Sequence, residues 1–177
     1  MKRIVKAGAV MAVAALMVIP VKGDWVNARS GLNVRSTPST DAEIVAVPPF
    51  ATEVKGTIKD GWMQIEGGYV STEFLQDADP LADAEYLGSW LCTAYTHSGM
   101  PCADGSYPQA GYSVATNSLP LGTEIFVSGV GFRTVTDRGP SSMPSAWLDV
   151  FLDSYSECVT YGEQVHDVWL LNEKGDE

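Results

Sequence analysis

The sequence predicts a mainly β protein made of two small barrels, the second of which carries a short helix. Three observations support this fold class. Short apolar runs recur between glycine-rich turns along the whole chain, one helix start is visible, and strand-like segments follow one another without long crossovers. The chain has 177 residues, of which 45% are hydrophobic, so it can bury a core.

The first 23 residues have the layout of a secretory signal peptide. Lys2, Arg3 and Lys6 precede an apolar run over residues 7–20, and small residues surround a cleavage point predicted after Gly23. The apolar run is short for a membrane span, and an uncleaved anchor is the alternative. We therefore expect a secreted, extracellular protein with no membrane partner after cleavage.

Residues 24–75 are predicted to form the first small β barrel. Turn signals separate strand-like runs at residues 31–35, 44–47, 52–54, 61–65 and 67–70. Residues 76–86 then contain four acidic residues and a proline without an apolar period, which predicts an acidic linker.

Residues 87–173 are predicted to form the second barrel. Alternating or continuous apolar segments predict strands at 89–95, 123–127, 132–137, 147–152 and 165–171. Ser154 and Glu157 have the spacing of a capping box, which predicts a short helix that runs to Tyr161 and ends at Gly162.

Composition and spacing argue against nucleic-acid and metal partners. Removal of residues 1–23 leaves 7 basic against 22 acidic residues, a formal charge of −15. This charge repels phosphate backbones, so we predict no nucleic-acid partner. His97 and His166 lack ligand-like spacing to acids or cysteines, so we predict no metal and no other cofactor.

Three cysteines allow at most one disulfide within the chain. Export would place Cys92, Cys102 and Cys158 in a compartment that permits disulfides. A bond between Cys92 and Cys102 closes a short loop and is the pairing we predict. A bond between Cys92 and Cys158 is the alternative, and the sequence does not decide between them.

Two aspartates are candidates for acid–base chemistry. Asp149 lies inside the apolar strand predicted at 147–152, and burial of a carboxyl raises its pKa toward that of a general acid. Asp137 ends another predicted strand twelve residues earlier, before Arg138. Structural roles are the alternatives. Asp149 could lie on the solvent face of its strand or be a buried acid that caps a loop, and Asp137 could serve ordinary turn chemistry.

The first barrel resembles a known family. The segment carries LNVRSTPST, a Gly-Trp pair and GYVSTEFL. In this combination it resembles a bacterial SH3 domain, which implies an SH3-like fold that binds the cell wall. Arg35 and Trp62 are then either framework residues or contacts in a wall-binding groove.

The second barrel resembles the three-aspartate (3D) domain. The matching segments are TAYTHSG, VATNSLPLGTEIFV, VTDRGP and WLDVFLDSYSECVTYG. That family is a six-stranded double-psi β barrel, related to the barrel of membrane-bound lytic transglycosylase A. The DRGP segment is also similar to barrels of the rare-lipoprotein-A type.

The resemblance implies an enzyme that cleaves peptidoglycan. Its reaction would be that of a lytic transglycosylase on the bond between N-acetylmuramic acid and N-acetylglucosamine, with a 1,6-anhydro product. Asp149 matches the catalytic acid/base. Asp137 matches the second signature aspartate, and we expect it to assist by hydrogen bonding or by raising the pKa of Asp149 through repulsion.

Four further residues are expected to bind the substrate. Thr93 and Tyr95 match groove positions of the resembled family, with core packing as the alternative for Tyr95. Asn117 stands where the first signature aspartate is expected, and Arg138 opens a loop that differs from the family's loop. These two departures favour the alternative function, a non-catalytic cell-wall-binding protein with an expansin-like barrel.

Overall fold

The computed structural model describes residues 21–171 of the chain. The first half of this range contributes the strands β1 (Lys22–Val26), β2 (Val34–Arg35), β3 (Ile44–Ala46), β4 (Glu53–Lys59), β5 (Trp62–Ile65), β6 (Gly68–Ser71) and β7 (Leu75–Gln76). A 3-10 helix, Thr72–Phe74, directly precedes β7. The strands form one seven-stranded sheet in the order β3-β2-β6-β5-β4-β1-β7.

One face of this sheet is buried. Its core consists of Val26, Leu32, Val34, Val54, Met63 and Val70. In β4 the side chains alternate, so that Val54 points into the core while its neighbours are exposed. Gly56 is required for close packing in the same strand, because an added Cβ would collide with the Gln64 carbonyl oxygen.

The second half of the described range forms a closed six-stranded barrel. Its strands are β8 (Glu85–Tyr95), β9 (Ser113–Ala115), β10 (Glu124–Val127), β11 (Gly131–Asp137), β12 (Trp147–Phe151) and β13 (Gln164–Leu170). They are ordered β10-β11-β9-β12-β8-β13, and β13 pairs back onto β10. The prediction of a mainly β protein with a closed six-stranded barrel and one short helix is confirmed.

Alternation in β12 decides which side chains point into the barrel. Leu148 and Val150 are almost fully buried in the barrel core. Successive side chains of a strand point to opposite faces, so Trp147 and Asp149 lie on the outer face. Phe151 shares that face but is buried there against Tyr95.

The helix α1 (Tyr155–Tyr161) has the predicted caps. The Ser154 hydroxyl oxygen accepts a hydrogen bond from the Glu157 backbone N–H at 3.3 Å, and the Ser154 hydroxyl donates to Glu157 Oε2 at 2.7 Å. Gly162 ends the helix with a φ of 63°, a backbone conformation that favours glycine.

Several elements differ from the sequence-based expectation, among them strand β7 and the 3-10 helix, which were not predicted. Strand β9 was not predicted, and β8 begins at Glu85, inside the segment predicted as a linker. Strand β1 was also not predicted. It contains Lys22 and Gly23, which pair with β4 although they precede the predicted cleavage point.

The remainder of the predicted signal peptide, residues 1–20, lies outside the described residues. No helix within residues 21–171 is long and apolar enough to cross a bilayer.

The predicted disulfide between Cys92 and Cys102 is absent. Cys92, Cys102 and Cys158 are all free thiols in the structure. Cys92 points into the barrel core, whereas Cys102 lies outside that core beside Thr136, whose hydroxyl contacts the Cys102 sulfur at 3.6 Å. The local spacing of the two cysteines therefore does not bring their sulfur atoms together. Burial raises the pKa of the Cys92 thiol to about 11.

Candidate active site

The barrel places the two candidate aspartates in one row of residues. Ala115 of β9 pairs with Asp137 of β11 on one side and with Asp149 of β12 on the other. Thr93 of β8 then pairs with Asp149. Directly paired residues of neighbouring strands face the same side of a sheet. Since adjacent strands are about 4.8 Å apart, the backbones of Asp137 and Asp149 are roughly 10 Å apart across β9.

Asp149 is half-buried on the outer face and has a fixed hydrogen-bond partner. Thr93 Oγ1 donates to Asp149 Oδ1 at 2.8 Å, and Trp147 Nε1 donates to Thr93 Oγ1 at 2.8 Å. An indole N–H can only donate, so the Thr93 hydroxyl accepts from Trp147 and its own proton is free for the aspartate. The chain from Trp147 through Thr93 therefore fixes the orientation of the Asp149 carboxyl.

Burial raises the pKa of Asp149 above its ordinary value of 3.8. The hydrogen bond from Thr93 opposes this shift, because it stabilises the carboxylate. Repulsion by Asp137, the cause expected from the sequence, does not contribute to the shift, and Asp137 lies two strands away. Burial is therefore the cause of the raised pKa of Asp149.

Asp137 is bound to the backbone of two loops. Its Oδ1 accepts hydrogen bonds from the backbone N–H of Ala103 at 2.9 Å and of Arg138 at 2.8 Å. The register of β11 shifts between Val135 and Asp137, which is the kind of irregularity that redirects a side chain at the end of a strand. Asp137 thus attaches the loop that follows β8 to the barrel.

Tyr95 lies close to both aspartates. Its ring packs edge-on against Phe151, with the ring centroids 5.3 Å apart. Its hydroxyl is buried beside the Cys102 thiol without a well-formed hydrogen bond. Burial is the main cause that raises the pKa of Tyr95, and the nearby Cys102, Asp137 and Asp149 raise it further. The ring therefore packs beside the row, and its hydroxyl does not reach solvent.

Asn117 and Arg138 hold two loops together. Asn117 Nδ2 donates to the Pro140 carbonyl oxygen at 2.9 Å. In the opposite direction, from the loop after β11 to the loop after β9, Arg138 Nη1 donates to the carbonyl oxygens of Thr116 at 2.7 Å and Leu119 at 2.8 Å. The loop after β9 and the loop after β11 are therefore joined beside the row, and both side chains already have partners in the protein.

The two residues predicted to bind the wall lie together in the other sheet. Arg35 and Trp62 line a groove of about 350 Å³, which Glu73 and Phe74 also border. Arg35 Nη1 donates to the Ala42 carbonyl oxygen at 2.7 Å, so part of its guanidinium supports the loop before β3. The groove belongs to the seven-stranded sheet and not to the row around Asp149.

Sequence reasoning missed Trp147 as a member of the site. The motif WLDV places it two residues before Asp149, on the same face of β12, which was the available signal. His97 was also not predicted here, and its ring lies 4.7 Å from that of Phe151. No three His, Cys, Asp or Glu side chains cluster as metal ligands in the described part of the chain.

A scan against models of protein families and a search of curated proteins return no match for this chain. The family resemblances drawn from the sequence therefore stay predictions, and the geometry around Asp149 is the basis for any functional proposal.

Replacement of Thr93 by valine tests the hydrogen-bond chain. The variant Thr93→Val leaves the Trp147 indole N–H and Asp149 Oδ1 without their partner, and we expect it to lose about 1–3 kcal/mol of unfolding free energy. Thr93→Ser keeps the hydroxyl and should lose less. Urea unfolding of the three proteins measures both values. Equal stability of the valine and serine variants would contradict the chain described above.

The pH dependence of stability tests the environment of Asp149. The folded protein binds the Asp149 proton more tightly than the unfolded chain, so the contribution of Asp149 to stability should fall as pH rises from about 4 through the raised pKa. An asparagine side chain does not titrate, so Asp149→Asn should gain stability relative to wild type over that range.

Urea unfolding between about pH 4 and pH 8 measures the difference. Asp153→Asn is the matched control, since Asp153 is exposed four residues further along the chain. It should follow the wild-type curve. A stability difference between Asp149→Asn and wild type that stays constant with pH would show that the carboxyl is not perturbed by burial.

Proposed function

We propose that this protein is a secreted, peptidoglycan-cleaving lytic transglycosylase with Asp149 as its single acid/base. The observation that supports the proposal most is the half-buried Asp149 carboxyl, whose pKa is raised by burial and whose orientation is fixed by Thr93 and Trp147. A pKa raised from its ordinary value is the direction of shift that a general acid requires, because the group must hold the proton that it donates.

The proposed reaction uses the same carboxyl twice. Protonated Asp149 donates its proton to the glycosidic oxygen, and the bond from that oxygen to C1 of N-acetylmuramic acid breaks. The resulting carboxylate removes the proton from the C6 hydroxyl of the same sugar. The C6 oxygen then bonds to C1, which gives the 1,6-anhydro product and returns Asp149 to its protonated form.

One acid suffices in this scheme because the nucleophile belongs to the substrate. The C6 hydroxyl is already held close to C1, so the reaction does not need a second carboxylate to activate water. A retaining hydrolase needs two carboxyl groups about 5–5.5 Å apart. The backbones of Asp137 and Asp149 are separated by one strand, β9, and Asp137 Oδ1 already accepts hydrogen bonds from two backbone N–H groups. Its proposed role is to position the adjacent loop.

The seven-stranded sheet is proposed to hold the enzyme on its polymer. The groove that contains Arg35 and Trp62 offers an aromatic face and a guanidinium for short-range contacts. Such contacts are needed because the net charge of −11 gives no long-range attraction to an anionic wall. Tethering would raise the local concentration of glycan at the barrel.

A specific observation favours a second candidate, a non-catalytic wall-binding protein with an expansin-like barrel. Asn117 and Arg138 are both used in the contacts between loops. Two of the side chains expected to bind the sugar therefore serve the protein's own structure. In this alternative the barrel grips glycan without cleaving it, and Asp149 contributes a hydrogen bond only.

Analysis of products from purified peptidoglycan separates the two functions. Wild type should release muropeptides with 1,6-anhydro ends, which mass spectrometry identifies by the loss of one water relative to hydrolytic products. Asp149→Asn should release them about 10²–10⁴-fold more slowly, the usual contribution of a positioned general acid. Asp153→Asn, the exposed matched control, should keep the wild-type rate.

Two results would contradict the proposed activity. Cleavage by Asp149→Asn at the wild-type rate would show that Asp149 is not the acid/base. Binding of wild type to sedimented peptidoglycan without any released product would instead support the expansin-like alternative.

A further inference from the structure

The two halves of the molecule meet through an aromatic contact. Phe50, in the loop between β3 and β4, packs against Phe126 and Phe132 of the barrel at centroid distances of 5.3 and 4.8 Å. Both contacts are edge-on, which is a favourable arrangement for aromatic rings. The guanidinium of Arg29 lies over the Phe132 ring at 4.2 Å and adds a cation–π interaction between the two halves.

A groove of about 640 Å³ opens beside this contact and is lined by both halves of the chain. The sheet contributes Arg29, Pro49 and Phe50, while the barrel contributes Phe132, Arg133 and the turn at residues 129–131. Its volume lies in the range of small-molecule sites, about 300–1,000 Å³. The groove does not include the Asp149 row, and it meets the groove of Arg35 and Trp62 at Ser30 and Gly31, which line both.

The charge of this groove is opposite to that of the protein. Two arginines and no acidic residue line it, although the whole chain carries 22 acidic against 11 basic residues. Arg29 has one acidic neighbour outside the lining, with its Nη2 3.4 Å from Glu124 Oε2. Both of these side chains are more than half exposed, so the ion pair is weak and a ligand carboxylate can replace Glu124 as the partner of Arg29.

Arg133 is a half-buried cation without a carboxylate partner. Its Nη1 donates to the carbonyl oxygens of Gly111 and Phe132, at 3.1 and 2.6 Å. Its Nε is buried without a hydrogen bond, and no ion pair involves Arg133 within residues 21–171. Burial lowers the pKa of Arg133, and the nearby Tyr161 opposes this shift. Nη1 is already used and Nε is enclosed, so an anion in the groove would act on Arg133 through the charge of the guanidinium and not through Nε.

We propose that the groove between the sheet and the barrel binds the free carboxylate of a short peptide. Guanidinium groups recognise carboxylates through charge-assisted hydrogen bonds, and Arg29 and Arg133 supply such donors from the two halves of the chain. The phenylalanine rings suit small apolar side chains next to that carboxylate, which a bare inorganic anion does not have.

The inference deepens the proposed function and rests on it for its biological meaning. The peptides of peptidoglycan end in small apolar residues with a free carboxylate, so the polymer proposed as substrate offers this chemical group. A peptide terminus held between the two halves would bind one end of a wall strand while the barrel acts on its glycan. Recognition of a carboxylate in a cationic groove also explains how so acidic a protein can approach an anionic polymer.

Direct binding of defined probes to the full chain tests the proposal. The probes are N-acetyl-D-alanyl-D-alanine, the same dipeptide as its C-terminal amide, and inorganic phosphate, each followed by isothermal titration. The acid should bind at least about 10-fold more tightly than the amide, the fold-change that corresponds to one charge-assisted hydrogen bond. Phosphate should compete only weakly.

Substitutions of the two groove arginines test whether the dipeptide acid binds in this groove. Arg29→Gln should weaken the acid about 10-fold and leave the fold intact, because Arg29 is largely exposed. Arg133→Lys keeps the charge but changes the geometry of the donors, and it should also weaken the acid. Lys59→Gln is the matched control: it removes one exposed positive charge from the end of β4, outside the groove, and should bind as wild type does.

Three results would overturn the proposal: equal binding of acid and amide, phosphate binding as tight as that of the dipeptide, or unchanged binding by Arg29→Gln with a native circular dichroism spectrum. The assay needs no catalysis, so its failure is distinguishable from failure of the proposed activity. If wild type releases 1,6-anhydro products but does not bind the dipeptide acid, the groove inference alone is wrong. If Asp149→Asn cleaves at the wild-type rate, the assignment of the acid is wrong and the groove is unaffected.

Discussion

The parallel pairing of β12 with β8 is the constraint on which the site depends. It places Asp149 beside Thr93, and the indole of Trp147 then determines the direction of the threonine hydroxyl. Leu148 and Val150 occupy the barrel core, so the strand cannot rotate without exposing both. The apolar residues that stabilise the barrel thereby also hold the carboxyl half-buried on the outer face, where its pKa is raised.

Local signals predicted the elements whose causes are local. The helix α1 begins and ends at its predicted caps, because Ser154, Glu157 and Gly162 act within their own turns. Strand β9 was missed because its three residues are all buried and show no alternation. This strand matters for the site because it lies between β11 and β12 and so separates Asp137 from Asp149.

Pairing between distant segments carries the information that local patterns lack. The register between β8 and β12 brings the Trp147 indole N–H within hydrogen-bond distance of Thr93 Oγ1. No local sequence pattern predicts this contact. The disulfide prediction failed for the same reason, because sequence spacing does not show that Cys92 points into the core.

In the proposed function, the acidic surface and the cationic groove have different effects on recognition of the wall polymer. The excess of acidic residues prevents non-specific attraction to anionic polymers, and selectivity then depends on short-range contacts. The groove with Arg35 and Trp62 lies in the sheet, the carboxyl of Asp149 lies on the barrel, and the groove with Arg29 and Arg133 lies between the two halves. Contact between the aromatic rings of the two halves lies beside this last groove.

The proposed chemistry depends on burial on the outer face of β12, which raises the pKa of the Asp149 carboxyl. The most direct measurement is a carbon-13 NMR titration of the side-chain carboxyl carbons, with the Asp149 resonance assigned by its absence from the spectrum of Asp149→Asn. The account predicts a pKa above 3.8, the ordinary value for aspartate. A titration midpoint at or below that value would contradict it, because the carboxyl would then be an ordinary solvated anion.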